Sequence, residues 1–263
     1  MTSTVKIFLG VLFLGFVCLQ IALFSVNEIG LPKLDIKKLV KKKGKIKILA
    51  VDPHPDDETM LSGGFMALYS RREDVLLKHI CLTKGEKGNE LLNITEKDLA
   101  AIREQEYENA LRVLGCEDFK IWNFHDGRVE DERELIIKKL DKELTEFRPD
   151  IVLTYERAGL YGHPDHVALT EIVHDLIEEK FPDTKVLYKT LTKRVLKSIK
   201  LPLHMARGKE VIQALPTYRL PILKFLLTKY RACRQHKSQN LGQGKPLWLI
   251  MLLFTNEYFT DQY

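Results

Sequence analysis

The sequence predicts an α/β protein built on a Rossmann-like, mostly parallel sheet with helices on both faces. Two observations carry that expectation. Apolar runs of strand length recur at Lys45 to Asp52, Val75 to Leu82, Phe119 to Trp122 and Ile151 to Tyr155, and segments of helical period separate them. With 263 residues and 45% hydrophobic content, the chain holds one sizeable domain plus an appendage and falls short of two ordinary domains. A charged fraction of 29% without Gly/Ser or Pro tracts excludes a largely disordered chain.

The appendage comes first. Ile7 to Val26 is a run of 20 residues without a charge, the length a helix needs to cross a bilayer core. It exceeds the apolar stretch of a cleaved secretory signal, and no small-x-small cleavage site precedes the lysines. The expected organisation is a tail at 1–6, a transmembrane helix at 7–26, a lysine-rich linker at 27–44 and a single catalytic domain at 45–263. Lys33, Lys37, Lys38, Lys41, Lys42, Lys43, Lys45 and Lys47 lie downstream of the run and only Lys6 upstream. The positive-inside rule then predicts a single-pass membrane protein with its domain on the cytosolic side, and the same lysines suit anionic headgroups.

Within the domain, KIKILAVD enters the sheet and HPDDE follows it directly. Glu58 to Ser70 reads as a helix through Met60, Leu61, Phe65, Met66 and Leu68, weakened by Gly63 and Gly64. The second strand, Val75 to Leu82, leads into a loop at Lys84 to Asn89. Thr95, with Asp98 three residues on, caps a helix that carries Leu99, Ile102, Ala110, Leu111 and Leu114 and stops at Gly115. A short strand at Phe119 to Trp122, a helix at Glu132 to Phe147, a buried strand at Ile151 to Tyr155 and a helix at Val167 to Lys180 complete the alternation. Beyond Thr190 the pattern weakens. The nine-residue run at Pro246 to Phe254 is too short to span a bilayer and reads as core ahead of an interfacial segment.

Cys18, Cys81, Cys116 and Cys233 form no metal-spaced pair, which excludes a thiolate zinc site or disulfide framework and fits a reducing compartment. The net charge of +5 conceals a division: residues 48–184 carry 17 basic and 31 acidic groups, whereas 185–237 carry 14 basic groups and a single acid, Glu210. That asymmetry calls for an anionic partner or for mutual neutralisation within one fold, with equal weight. Nucleic acid is not expected as a partner, since no reading motif accompanies the basic residues.

The chemistry concentrates in His54-Pro55-Asp56-Asp57 and His163-Pro164-Asp165-His166. In parallel α/β sheets ligands bind at the carboxyl ends of strands, and both motifs follow a predicted strand. Zinc hydrolases hold their metal with three His or carboxylate side chains and keep a position open. His54, Asp57 and His166 make such a set, which also suits iron or another divalent ion. Taken singly, each motif has a plainer reading as a satisfied histidine or as acids at a helix start. Two such motifs, each after a strand, outweigh it. Around a metal, Asp56 is the candidate base. His163 is placed to stabilise an oxyanion or protonate a leaving amine, and Asp165 to orient that imidazole and raise its pKa.

The pairing of HPDDE with GHPDHV resembles the PIG-L and LmbE family of zinc-dependent N-deacetylases, which act on N-acetylglucosamine conjugates. The resemblance extends over about residues 46 to 240 and includes Thr83 to Gly88, the helix of Arg103 and Glu106, and Ala232 to Gln239. Only the two His-Pro-Asp motifs are highly specific. It implies one Zn2+ held by His54, Asp57 and His166, with Asp56 as base, His163 stabilising the transition state, and Arg103 and Asp126 near the sugar or its aglycone. From the residues alone, these last two read equally as a helix ion pair and a turn residue. The anchor and the basic region favour a membrane-borne, lipid-linked substrate such as N-acetylglucosaminyl-phosphatidylinositol. The alternative is a soluble conjugate, a thiol precursor or chitooligosaccharide. A reading of another class is a non-catalytic, membrane-tethered protein that holds anionic lipid.

Overall fold

The computed structural model describes residues 3–41, 44–88, 91–198, 212–242 and 244–263. Lys42, Lys43, Asn89 and Glu210, named above, lie outside these. The chain opens with α1 (Ser3–Val26) and the short α2 (Ile36–Val40), capped by the Asp35 carboxylate. β1 (Ile46–Asp52) then enters the sheet, followed by α3 (Asp57–Met60), α4 (Gly63–Tyr69), β2 (Val75–Thr83), α5 (Glu96–Leu114) and β3 (Asp118–Phe124). Next come α6 (Arg133–Phe147), β4 (Ile151–Tyr155), the single turn α7 (Gly159–Gly162), α8 (Pro164–Lys180), β5 (Lys185–Thr190) and α9 (Lys193–Ser198). β6 (Tyr218–Pro221), α10 (Leu226–Cys233), α11 (Leu247–Leu253) and β7 (Asn256–Thr260) close the chain.

The seven strands form one sheet in the order β3-β2-β1-β4-β5-β7-β6. The first five are parallel, and β7 runs antiparallel to both β5 and β6. β1 is buried at every position but Lys47, and β4 throughout, as strands covered on both faces must be. Their side chains divide by the period of two. Ile46, Ile48 and Ala50 join the core of one face with Phe65 and Met66 of α4 and Tyr107 and Leu111 of α5. Leu49 and Val51 join the other, with Ile136 and Leu140 of α6 and Leu169 and Ile172 of α8. The expected parallel sheet with helices on both faces is therefore present.

Helix α5 begins where Thr95 Oγ1 accepts from the Asp98 backbone N–H at 3.1 Å and ends at Gly115, in the left-handed region at φ +85°. The helix expected over Glu58 to Ser70 is instead two pieces, α3 and α4. Gly64 lets α4 pack closely: a Cβ there would lie 2.4 Å from Ile222 Cγ2, so only glycine permits this approach. The Glu257 carboxylate of β7 accepts from Gly64 and Phe65 N–H, both at 2.7 Å, and pairs with buried Lys229 at 2.8 Å. The apolar run near the C-terminus folds as α11, of which Met251 is buried while Trp248 and Leu252 are exposed. Cys81, Cys116 and Cys233 are buried free thiols.

The expectation of a single-pass anchor at 7–26 with a cytosolic domain is corrected. Among the described residues, no helix is long and apolar enough to cross a membrane. The segment is helical, as α1, but its C-terminal end is fastened to the domain. Asn27 Nδ2 donates to Leu253 O at 2.7 Å and Thr192 Oγ1 to Val26 O at 3.3 Å.

Removing the Glu257 carboxylate strands two backbone donors and a buried ammonium. Glu257→Ala is therefore expected to destabilise the fold by about 3–5 kcal/mol in urea unfolding; a loss below about 1 kcal/mol would contradict this account of how α4 is held.

Candidate functional site

The two His-Pro-Asp motifs meet at the carboxyl ends of β1 and β4. Asp57 opens α3 and His166 lies in the first turn of α8. Asp57 Oδ2 is 3.6 Å from His54 Nδ1 and 3.6 Å from His166 Nε2, and it also accepts from the His54 backbone N–H at 3.0 Å. All three side chains are buried.

Each motif depends on a strained residue held by a buried glutamate. Asp56 has φ +102°, a conformation that costs a non-glycine residue about 1–3 kcal/mol. Glu58 Oε2 accepts from the Asp56 N–H at 2.9 Å, and Thr59 Oγ1 donates to Asp56 O at 2.8 Å. Leu160, three residues before His163, has φ +70°, and Glu156 accepts from its N–H at 2.7 Å and from that of Ala158 at 3.0 Å. Gly159 beside it is obligatory, since a Cβ there would lie 2.6 Å from His166 Cβ.

The outer nitrogen of His54 is doubly held: Nε2 lies 3.0 Å from Asp165 Oδ2 and 3.0 Å from Asp126 Oδ1. Carboxylates in this position fix the proton of a metal-binding imidazole on the far nitrogen and leave the near one free to ligate. Asp165 is itself fixed by the N–H groups of Gly127, at 2.6 Å, and Val129, at 3.2 Å. Its carboxylate thus serves His54. Toward His163 it donates a backbone N–H to Nδ1 at 3.2 Å, and its charge opposes the lowering of the His163 pKa without outweighing burial. Asp126, expected near a sugar, is buried behind His54 and accepts from the Lys87 N–H at 3.2 Å. Arg103, also expected at the substrate, is buried. It donates to Gly85 O at 2.8 Å and to Pro55 O, and its Nη2 lies 3.3 Å from Asp56 Oδ2.

Asp56 and His163 stay half-buried while the three inner side chains are closed off. Burial pushes the Asp56 carboxyl up to about 7, against the opposing guanidinium of Arg103. Burial likewise draws His163 below the usual imidazole range, aided by neighbouring His54. His166 is pushed down to about 3 by burial although Asp57 faces it. Burial disfavours charge on His54 too, yet Asp126 and Asp165 hold it well above the ordinary value.

Both ring nitrogens of His166 are buried without a hydrogen-bond partner. A buried polar atom with no partner costs free energy and calls for a ligand. A divalent cation on Nε2, the nitrogen facing Asp57, satisfies that one of the two: two imidazole nitrogens and a carboxylate oxygen are the donor set zinc takes when a position is kept for water. Among the described residues, the groups with ligand atoms close enough to share an ion are His54, His163 and His166, and His54, Asp126 and Asp165; Asp57 meets His54 and His166 through its two 3.6 Å approaches. The hydrogen bonds already made by Asp126 and Asp165 set the second group behind the first.

Side chains that sequence reasoning did not single out hold the site from outside. Tyr155 O–H donates to Asp57 Oδ1 at 2.6 Å. His236 Nε2 lies 2.7 Å from Glu58 Oε1. Ser238 Oγ donates to Glu106 Oε2 at 2.6 Å. Glu106 and the stretch around His236 were visible only as part of a family resemblance. Tyr155 closes an apolar strand and gave no signal of its own.

Arg103 ties the first motif to the loop after β2 with a fork that lysine cannot reproduce. Arg103→Lys is expected to cost about 1–3 kcal/mol in urea unfolding, because buried carbonyls lose their donor. An unchanged unfolding midpoint would show that the guanidinium does not brace this turn.

Residues 49–177 match the family described as PIG-L: GlcNAc-PI de-N-acetylase. Over 139 residues, 51% of this chain, the sequence is 34% identical to a probable N-acetyl-alpha-D-glucosaminyl L-malate deacetylase 2 of Bacillus anthracis, spanning 61% of that protein. It is 34% identical over 159 residues, 50% of this chain, to a 1D-myo-inositol 2-acetamido-2-deoxy-alpha-D-glucopyranoside deacetylase of Corynebacterium kroppenstedtii, spanning 40% of it. The chain thus aligns with about half the length of these curated relatives. The fold is shared with the N,N'-diacetylchitobiose deacetylase of Pyrococcus horikoshii at a TM-score of 0.62 and 24% identity, covering 85% of this chain and 88% of that one. With both His-Pro-Asp motifs inside the matched segment, residues 49–177 belong to the PIG-L family.

Proposed function

We propose that this chain is a zinc-dependent N-deacetylase that hydrolyses the acetamide of a small, soluble N-acetylglucosamine conjugate. The observation that carries the reading is the convergence of His54, Asp57 and His166 around the partnerless nitrogens of His166, with Asp56 and His163 beside them and still open. The names of the relatives support the substrate class, since those proteins are described as acting on a glucosaminyl malate and on an inositol glycoside of the same amino sugar. The family description names GlcNAc-PI, whereas the two relatives at 34% identity are described as acting on a malate and an inositol conjugate of the amino sugar, and on that ground the soluble conjugate is preferred.

His54, Asp57 and His166 are the residues that hold the metal, which when bound supplies Lewis acidity to lower the pKa of water and polarise the amide carbonyl. Asp56 accepts the proton of the attacking water, its carboxylate aimed by Arg103 and by the strained turn. With Nδ1 of His163 accepting from Asp165 N–H, a neutral ring carries its proton on Nε2, the donor available to the carbonyl oxygen as charge develops there. As the C–N bond breaks, the proton taken by Asp56 passes to the amine, and acetate and the free glucosamine conjugate leave.

The test is acetate release from N-acetylglucosaminyl malate, the inositol glycoside, N,N'-diacetylchitobiose and detergent-dispersed N-acetylglucosaminyl-phosphatidylinositol. Turnover is expected with one or more of the soluble compounds, abolished by chelator and restored by Zn2+. Asp56→Ala is expected to lower kcat by about 10²–10⁴. Release insensitive to chelator, or no release from any compound, refutes the reading; release from the lipid alone reverses the substrate assignment.

A further inference from the structure

We propose that Tyr155 is a positioning residue that makes Asp57 a one-oxygen metal ligand, and that the buried pair Lys189–Asp52 fixes Tyr155 in that role. The proposal rests on the metal-dependent reading above. Tyr155 ends β4 and is buried. Its phenol donates to Asp57 Oδ1 at 2.6 Å, while its ring stacks on the His166 imidazole with centroids 4.2 Å apart and planes 27° apart. One side chain therefore touches a ligand from each motif. The other Asp57 oxygen, Oδ2, accepts from the His54 backbone N–H and lies between His54 Nδ1 and His166 Nε2. Without the phenol, Oδ1 becomes a buried acceptor lacking this donor, and the carboxylate is held by the His54 N–H at Oδ2 with no donor fixing its second oxygen.

Lys189 is the register partner of Tyr155 on β5, and its Nζ lies 4.0 Å from the centroid of the Tyr155 ring. From there it reaches across β4 to Asp52 on β1, with which it forms a fully buried ion pair. Asp52 Oδ2 lies 3.0 Å from His79 Nε2 on β2, and His79 Nδ1 lies 2.7 Å from the Tyr107 hydroxyl on α5. The cluster spans β2, β1 and β5 and presents its ammonium to the tyrosine face. A buried ion pair is a poor source of stability, since apolar residues of similar volume commonly do as well. Its location against a ring that touches a ligand from each motif gives it a different use. The cation over the ring resists sliding or rotation, and the ring fixes the hydroxyl.

The test uses Tyr155→Phe, which keeps the ring and removes only the hydroxyl. Zinc affinity, measured in the full chain by competition with a chromophoric chelator, is expected to weaken about 10–100-fold. The melting temperature of the metal-free protein is expected to stay within about 4 °C of the parent, and the visible spectrum of the Co2+-loaded protein to change in intensity. The double variant Asp52→Asn, Lys189→Met removes both charges without leaving one buried alone, and is expected to weaken zinc binding in the same direction. Parent-like affinity in Tyr155→Phe overturns the proposal, as does an affinity loss accompanied by a much larger fall in melting temperature. Parent-like affinity in the double variant overturns the part assigned to Lys189 and Asp52. A parent protein that takes up no zinc refutes the metal-dependent reading and this proposal together, whereas a parent that binds zinc beside an unchanged Tyr155→Phe refutes this one alone.

Discussion

The pairing of β1 with β4 is the constraint on which the site depends. The two strands are hydrogen-bonded in parallel through Ile48 with Ile151, Leu49 with Val152 and Ala50 with Leu153. On one side of this pair the order runs back through β2 to β3, and on the other it runs forward to β5. The order reverses here, so the chain leaves the two strands toward opposite faces: α4 packs with the core of one and α8 with that of the other. The loops diverge and open a crevice at the carboxyl edge. Each side of that crevice carries one His-Pro-Asp motif. Had β4 paired elsewhere, His54 and His166 could not share Asp57.

Holding that geometry carries a conformational cost, and the structure meets it with buried carboxylates. Asp56 and Leu160 each occupy the left-handed half of backbone space, at about 1–3 kcal/mol apiece. A hydrogen bond to a charged acceptor returns about 1.5–3 kcal/mol. Glu156 accepts three, from Ala158, Leu160 and Ala214 N–H, which is enough to outweigh the strain at Leu160. Glu58 accepts from Asp56 N–H and pairs with His236. In both motifs the strain sits next to the candidate site residues and the compensation one layer behind them.

The parts legible in the sequence are those where local pattern and tertiary burial agree. β1 and β4 are buried on both faces almost throughout, and β2 from Lys78 onward; all three are mainly apolar in sequence, and their predicted and observed limits nearly coincide. The cap at Thr95 and the stop at Gly115 act through backbone geometry that does not depend on the rest of the fold. The antiparallel edge was not foreseen because its strands bury polar groups. β7 is buried at every position yet reads Asn-Glu-Tyr-Phe-Thr, since Glu257 faces the start of α4 and Lys229. β5 hides Lys189 in the same way. The candidate ligands were readable from two spaced motifs, but the partners of Asp165, Asp126 and Arg103 were not, because which carboxylate meets which imidazole is decided by packing across the crevice. The anchor expected at 7–26 rested on hydropathy alone, which does not register that the end of α1 is hydrogen-bonded to residues far along the chain.

The family match ends at residue 177, but the unit that holds the site does not. Glu58, which secures the strained turn at Asp56, is completed by His236. Glu106, on the helix that carries Arg103, accepts from both the N–H and the hydroxyl of Ser238. Lys189 and Asp52 neutralise each other across the sheet. All these groups are buried, and a buried carboxylate deprived of its partner is far more costly than one that never had to be buried. A chain reduced to the matched segment would keep every candidate ligand and the candidate base while leaving Glu58, Glu106 and Asp52 short of these partners. The matched residues therefore hold the candidate ligands and base, and those after residue 177 supply the charges and donors that let the groups behind them stay buried.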